Sequence, residues 1–511
     1  MARTPARARP TDGPPDGDDA EAILDRALQG RYRVRRSATT DEVLSHLDTA
    51  DGRLRKAGFD LVSDAKASGL WLYRTNALPV HQPSDVVDFP APVAAIGAGP
   101  VRDLVSGPAW IRALVPFATS EARRTRFDVL NEDDKTVARV QWRQGSIVGP
   151  VATSLPVDVS VEALKGYGHE AGEVERLLGA GVAISAAGQD WLAAVRALAG
   201  STMTAGRRFG MHPDHAADLA VADALLGYLD KMEANVDGVL ADTDTEYLHQ
   251  FRVEVRRSRS ILKLLGDVLP DPVAVRAAGD LRWLGTATTP TRDLDVYLLE
   301  IDELAEMIER RDDLTPLAEH IRERRTAEQA ALVAVLASPR FADFRARWRS
   351  ELAGVVSSHS RSSIAVSQLA DERIGQMFRK VRKRADAITT ESSGEEIHAL
   401  RKACKEMRYL LELFHPLCQP TAYKAVIADF KDLQEVLGEF QDGEVQAAAL
   451  RVFAREMLEA GDVDTDTILA MGALSAHFET RQAAARAALT QRRGGYVGDR
   501  VASHVRRLLT P

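Results

Sequence analysis

Apolar residues recur at Phe251, Val255, Leu262, Leu265 and Leu269. At about 100° per residue these positions share one face of a helix, the pattern of a buried stripe. His249, Arg252, Arg256, Arg259 and Lys263 fall on a second face, within an arc of roughly 80°. The pattern returns further along, with Leu400, Cys404, Leu411 and Phe414 inward and His398, Arg401, Lys405 and Arg408 outward, ending on Glu412 where the first stripe has a lysine. From about His212 onward the periodicity is almost wholly helical, with Asp214 a candidate first helix start and Pro270, Pro316, Pro339 and Pro416 punctuating helix ends. Upstream, from about Glu21 to Gly200, alternation in Thr136–Arg143 and Trp110–Phe117 predicts strands of an antiparallel sheet. Thr40–Ala57 and Glu173–Ala180 read as helices between them. Met1–Ala20 is rich in Pro, Arg, Asp and Gly without an apolar period and is expected to be a disordered tail. The organisation expected is therefore a tail over 1–20, an α+β domain over 21–205 and an all-α domain over 212–511.

The two basic helices are one helix written twice. His249 and His398 lie 149 positions apart, and the same offset carries Arg252 to Arg401, Arg256 to Lys405 and Arg259 to Arg408. It continues through Leu262 to Leu411, Leu265 to Phe414, Asp280 to Asp429, Arg282 to Lys431, Leu284 to Leu433, Asp293 to Asp442 and Val296 to Val445. A gapless register over this span indicates a duplicated unit. Solvated helix faces usually interleave charges of both signs, yet Glu254 is the only acid between Arg252 and Lys263. A self-repelling stripe that occurs in both copies points to a polyanionic ligand.

Composition narrows this reading. The chain of 511 residues carries a net charge of −8 and a pI near 5.9, so an anion site must be a local patch on an acidic body. That balance, and motif helices without aromatic stacking platforms, disfavour a nucleic-acid partner. Cys404 and Cys418 are too few for a secreted disulfide scaffold, and Cys404, on the apolar face, reads as a small core residue. No apolar run approaches a membrane span and the start lacks a signal-peptide core. A cytoplasmic protein without a membrane partner is expected.

The all-α part resembles the CHAD family, the conserved-histidine α-helical domains. The resemblance is carried by Leu248–Arg259, Leu281–Leu284 and Arg292–Val296 in the first copy, motifs spanning 248–296. In the second it is carried by Ile397–Glu412 and by Leu433, Gln434, Leu437, Gly438, Gln441 and Asp442, spanning 397–445. Where that family often has Leu-Gly before Arg-Asp, this chain has Thr288-Thr289, a departure expected to perturb a turn in the first copy. The resemblance implies two pseudo-symmetric helical bundles whose basic faces bind inorganic polyphosphate. The α+β part is similar to the CYTH, or triphosphate-tunnel, family in Leu47–Gly58, Phe127–Val140 and Leu164–Tyr167 with Glu170-Ala171. That family forms an antiparallel barrel around a metal-triphosphate site and opens with an E-x-E-x-K strand. Here the corresponding stretch is Arg31-Tyr32-Arg33-Val34-Arg35-Arg36, and arginine cannot ligate Mg²⁺. No later inward carboxylate is evident, Val140–Arg143 offering none, so a degenerate barrel without hydrolysis is expected.

Phosphate suits the stripes because arginine grips two oxygens with a fixed fork and lysine adds a mobile charge. The candidate polyphosphate-binding set is His249, Arg252, Arg256, Arg259, Lys263 and Arg282 from the first copy, with His398, Arg401, Lys402, Lys405, Arg408 and Lys431 from the second. Arg379, Lys380, Arg382 and Lys383, a dense basic run ahead of the second histidine, complete it. Neither motif histidine has a His, Cys or carboxylate three or four residues on, which argues against a metal role; no catalytic residue, metal or cofactor is expected. Arg292, Asp293 and Asp442 read as structural ion pairs or caps, Arg257 is open between site and structure, and His212-Pro213-Asp214-His215 reads as helix capping. Two functions stay open: a polyphosphate-binding protein, with polyphosphate granules a candidate location, and a metal-dependent tripolyphosphatase acting through the N-terminal domain. Oligomeric state is left undetermined.

Overall fold

The computed structural model describes residues 17–509 except 29, 65, 67–68, 75–78, 85–87, 150–151, 180–188, 204–209, 309–311, 359, 361, 363 and 462. The tail expected over 1–20 lies outside the described residues up to residue 16, and residues 17–20 already belong to a helix. The chain forms two compact units, Met1–Ala205 and Gly206–Pro511.

In the first unit the strands are β1 (Arg33–Thr49), β2 (Phe59–Asp64), β3 (Gly69–Arg74), β4 (Val80–Pro83), β5 (Ala91–Pro92), β6 (Ala113–Leu130), β7 (Thr136–Ile147), β8 (Thr153–Ser154) and β9 (Asp158–Ala163). The helices are α1 (Gly17–Ala27), α2 (Arg53–Lys56), α3 (Pro100–Ala109), α4 (Gly168–Gly179) and α5 (Gln189–Met203). All pairings are antiparallel, in the order β4-β3-β2-β1-β6-β7-β8, with β5 on β6 and β9 on β7. Among the described residues the sheet does not close on itself, so it fits a CYTH-like barrel only loosely. One face packs Phe127, Val129, Val137, Val140 and Trp142 beneath α1 and α4. The opposite face receives Trp191, Leu192 and Val195 of α5 against Ala122, Leu44 and Val62.

Thr40–Ala57 is not a helix: β1 runs to Thr49 and only Arg53–Lys56 is helical. The long pairing of β1 with β6 overrides any helical propensity. The strand read at Trp110 begins at Ala113, because Trp110 closes α3 at a φ of 52°.

The second unit contains α6 (Ala217–Glu233), α7 (Val236–Leu240), α8 (Thr245–Leu265), α9 (Asp271–Ala287), α10 (Thr289–Met307), α11 (Thr315–Leu336), α12 (Pro339–Ser357), α13 (Val366–Ala387), α14 (Gly394–Phe414), α15 (Pro420–Ala460), α16 (Thr465–Tyr496) and α17 (Asp499–Arg506). The sequence offset of 149 maps the start of α6 onto that of α13, both ends of α8 onto those of α14, the start of α9 onto that of α15 and the end of α12 onto that of α17. Even the caps correspond. Asp244 accepts from the backbone of Glu246 and Tyr247 at the start of α8, and its equivalent Ser393 forms a capping box with Glu396 at the start of α14. The duplication thus spans the unit. The copies differ at Thr288, where α9 gives way to α10 with Pro290 in its first turn, while the equivalent Leu437-Gly438-Glu439 lies inside the unbroken α15. Proline removes a helical N–H and crowds the preceding turn, which accounts for the break.

Residues paired with their own equivalents mark a pseudo-twofold axis, as in an isologous interface. Ala216 bridges Ala365, and the Tyr297 hydroxyl donates to the Gln446 carbonyl at 2.9 Å. Both hydrophobic cores of the unit draw on both copies: a large one built around α6, α8, α13 and α14, and a smaller one joining α10 and α11 to the far half of α15 and to α16. The first helix starts at Ala217 without a side-chain cap. His212–His215 form a preceding turn and none of their side chains caps α6, so the helix-capping role expected of this stretch does not hold for that helix, nor does the start expected at Asp214.

Candidate functional site: a cationic centre on the pseudo-twofold axis

Phe251, Val255, Leu262 and Leu265 of α8 and Leu400, Cys404, Leu411 and Phe414 of α14 are buried, which turns the basic faces of both helices away from the core. Burial pushes the Cys404 thiol up to about 12, so it is an inert core residue. Arg256 and Lys405 are equivalents under the offset of 149, and the charge of Arg256 reaches Lys405 across the packed helices α8 and α14. Burial and then the charges of Arg401, Arg256 and Arg408 pull the Lys405 ammonium down to about 8, with Asp442 opposing. Among the described residues neither Arg256 nor Lys405 has an ion-pair partner. The two stripes therefore meet at the axis, cation against cation.

The flanking arginines are held chiefly by neutral acceptors. Arg252 Nη1 donates to Thr288 Oγ1 at 2.7 Å, Thr289 Oγ1 at 3.0 Å and the Gly285 carbonyl at 3.3 Å. Its equivalent Arg401 donates to the Leu437 carbonyl at 2.8 Å, with Asp442 at 3.5 Å. The Thr288-Thr289 departure is thus a substitution of acceptors: two hydroxyls at the helix break do what one carbonyl does in α15. Arg252 and Arg401 are both held below the usual arginine value, in each case chiefly by burial. Arg259 is exposed and lies against α9, where a Cβ at Gly285 would fall 2.8 Å from its Nη1.

The histidines occupy equivalent places with different neighbours. His398 Nδ1 lies 2.5 Å from Gln441 Oε1. If Nδ1–H donates there, Nε2 can donate to an anion only as imidazolium. At His249 the place of Gln441 is taken by Arg292, and burial followed by Arg292, Arg256 and Arg252 lowers the imidazole below its usual value despite Glu246. Arg292, read from the sequence as structural, borders the site; its own value is lowered by burial and by Arg256, against the raising effect of Asp295 and Glu246. The offset from His398–Gln441 was the signal that could have found it.

Other candidates are engaged elsewhere. Lys263 (2.5 Å) and Lys380 (3.0 Å) both bind the buried Glu406. Arg408 binds Glu412 at 2.7 Å, Lys431 lies 3.6 Å from Glu435, and Arg382 lies 3.2 Å from Asp499. Arg282, Arg379, Lys383 and Lys402 are exposed and without an ion pair among the described residues, Arg379 and Lys383 lying on α13 apart from the two motif helices. Arg257 is structural: it joins Glu254 at 2.7 Å to Glu412 of α14 at 2.9 Å.

The sheet unit carries its own charge cluster. Glu42 lies on the inner face, 2.7 Å from Arg124 and 3.2 Å from Arg143, and Asp158 is 3.8 Å from Arg143. Beside them a cavity of about 240 Å³ is lined by Trp71, Tyr73, Gln141 and Ser160. His46, bonded to Ser120 at 2.9 Å, is held down at about 4 by burial and Arg143, and is neutral. The inner face does carry carboxylates, contrary to the expectation from Val140–Arg143, but arginines hold them. Arg33 pairs with Asp134, and Arg35 lies 3.6 Å from Asp128. Among the described residues no group of three or more His, Cys, Asp or Glu could hold a metal ion.

The duplicated helical unit matches a known family: residues 223–451 are identified as a CHAD domain. Solved structures similar to this chain include the CHAD domain from the plant Ricinus communis, 26% identical with a TM-score of 0.48, covering 57% of this chain and 95% of that one. PptA from Streptomyces chartreusis is 16% identical with a TM-score of 0.41, covering 55% and 99% respectively. No curated protein matches the chain. Among the described residues no helix is long and apolar enough to cross a membrane.

Proposed function

We infer that the helical unit binds inorganic polyphosphate across its pseudo-twofold axis, with Arg252, Arg256 and Arg259 from one copy and Arg401 and Lys405 from the other. The carrying observation is that Arg256 and Lys405, at equivalent positions, feel each other's charge and that neither has an ion-pair partner among the described residues. Such an arrangement is repulsive by itself and is relieved by an anion placed between the two cations. Linear polyphosphate carries a charge at each phosphorus, so one chain can engage both stripes, and the second engagement is intramolecular. Sixteen basic positions were candidates from the sequence; the ion pairs of Lys263 and Lys380 leave them as supports for the site rather than contacts. The test is calorimetry on the full chain with long-chain polyphosphate, tripolyphosphate, ATP and single-stranded DNA at low and high salt. Long-chain polyphosphate should bind tightest, with affinity falling steeply with salt through counterion release. Equal affinity for DNA, or none for polyphosphate at low salt, would overturn the reading.

A metal-dependent triphosphatase in the sheet unit is the weaker reading. Glu42 and Asp158 would have to abandon Arg124 and Arg143 to serve a cation. Attachment to polyphosphate granules extends the binding reading and would be tested by co-sedimentation of the protein with them.

A further inference from the structure

We propose that Lys405 is a covalent modification site for acyl phosphates, recruited by the arginines around it. The inference rests on reading this centre as a phosphate site and adds a reaction to it. An acyl phosphate offers the same dianionic head as a polyphosphate terminus, joined to an electrophilic carbonyl. Arg401 and Arg408 flank Lys405 one turn away on α14, and Arg256 approaches from α8. A phosphate held there leaves its acyl carbon beside the lysine Nζ.

Lys405 differs from the paired lysines of the unit in what its nitrogen meets. Lys263 and Lys380 are tied to Glu406, and Lys431 is near Glu435. Lys402 is exposed one turn from this centre. Lys405 is exposed, has no ion pair among the described residues, and is surrounded by cations that favour its neutral amine. With its ammonium at about 8, about a tenth of the amine is free near neutrality, several hundred-fold more than for an ordinary lysine.

In the reaction the free amine attacks the acyl carbon, the N–C bond forms, and the C–O bond to phosphorus breaks. Inorganic phosphate leaves with the electron pair, and the amine proton passes to the departing phosphate or to solvent. The amide product carries no charge, so the modification removes one of the two axial cations and should weaken polyphosphate binding.

The experiment exposes the full-length protein to acetyl phosphate and, separately, to the uncharged acetyl ester of N-hydroxysuccinimide, and follows each lysine by peptide mass spectrometry. With acetyl phosphate, Lys405 should react about tenfold or more faster than Lys402. Its advantage should shrink with the uncharged donor and in an Arg256→Gln variant, and tripolyphosphate should suppress it. A rate at Lys405 no greater than at Lys402 overturns the proposal, as does an identical preference with the uncharged donor, which would remove recruitment. Calorimetry with tripolyphosphate on the same sample separates the two failures. Binding without selective acetylation rejects only the modification, whereas no binding and no protection rejects the anion site itself.

Discussion

Replacing Lys405 with methionine should make the protein more stable and its anion affinity weaker. Methionine keeps most of the apolar stem and removes the charge. Drawing an ammonium from 10.5 to about 8 corresponds to about 3 kcal/mol at 1.36 kcal/mol per pH unit. Lys405 is exposed, and solvent screening of an exposed charge reduces this to about 1 kcal/mol. A gain of that size raises the melting temperature by about 2–4 °C in a unit of this length. The sign of the pH dependence follows from the direction of the shift. The folded state disfavours the protonated amine, so the penalty is complete below about 8 and fades as the pH climbs toward the ordinary value of 10.5. Lys405→Met should therefore show its full advantage near neutrality and none at the alkaline end. Partial desolvation leads this shift, followed by the charges of Arg401 and Arg408 on its own helix and Arg256 on α8, with Asp442 on α15 opposing. Calorimetry should show the opposite trend for binding, with a charge-assisted contact worth about 1.5–3 kcal/mol lost from the polyphosphate complex. Binding near pH 8 should also take up protons, read from the dependence of the heat on buffer ionisation enthalpy. A variant that is less stable than the parent at neutral pH, or that binds polyphosphate unchanged, would refute the idea that Lys405 is held against repulsion for an anion.

Three further outcomes are expected. Glu406→Gln should lower the urea midpoint near neutrality by an amount equivalent to about 1–2 kcal/mol, because two partly exposed lysines lose their shared acceptor. Burial acts to raise the Glu406 carboxyl, but Lys263 and Lys380 hold it below the usual 4.5, so the loss should be present above that value and vanish as the pH falls through the folded one. Thr288→Val, at a fully buried position, should remove the shortest of the Arg252 contacts and lower polyphosphate affinity severalfold; unchanged affinity would show that Arg252 needs no positioning. Full-length protein should release no phosphate from tripolyphosphate with Mg²⁺ or Mn²⁺, and chelator-sensitive release that disappears in Glu42→Gln would contradict this.

The helical face pattern was legible because a period of 3.6 and a repeated register are one-dimensional signals. Every apolar position assigned to the two motif helices, from Phe251 to Phe414, is buried. The sheet unit was less legible. In β1 the inward set Glu42, Leu44, His46 and Asp48 alternates with period two, and all four are buried. Read at helical period, those residues scatter around a cylinder and their charge cluster disappears. Asp48 is satisfied by the backbone amides of Thr49, Leu54 and Arg55, contacts set by a turn that follows the strand. The partners of Lys263 and Lys380 were equally hidden: Glu406 is 143 positions from Lys263 in the chain, and only the packing of α8 on α14 brings them together.

That packing explains the one place where the two stripes disagree. Lys263 of the first copy binds Glu406 of the second, and Arg257 of the first binds Glu412 of the second. Under the offset of 149, Lys263 corresponds to Glu412 and Arg257 to Glu406. The two contacts are thus the same contact seen from either side of the axis, with cations on one copy and carboxylates on the other. In an assembly of two identical copies an isologous interface would set each residue against its own kind of partner, and cations at both positions would repel. Duplication within one chain permits the two sides to differ. Closer to the anion-facing centre, Arg256 and Lys405 have stayed alike in charge where complementary charges could have been used. A helix pair that exchanges sign where it packs and keeps repulsion where it is open to ligand is an argument for binding that neither helix makes alone.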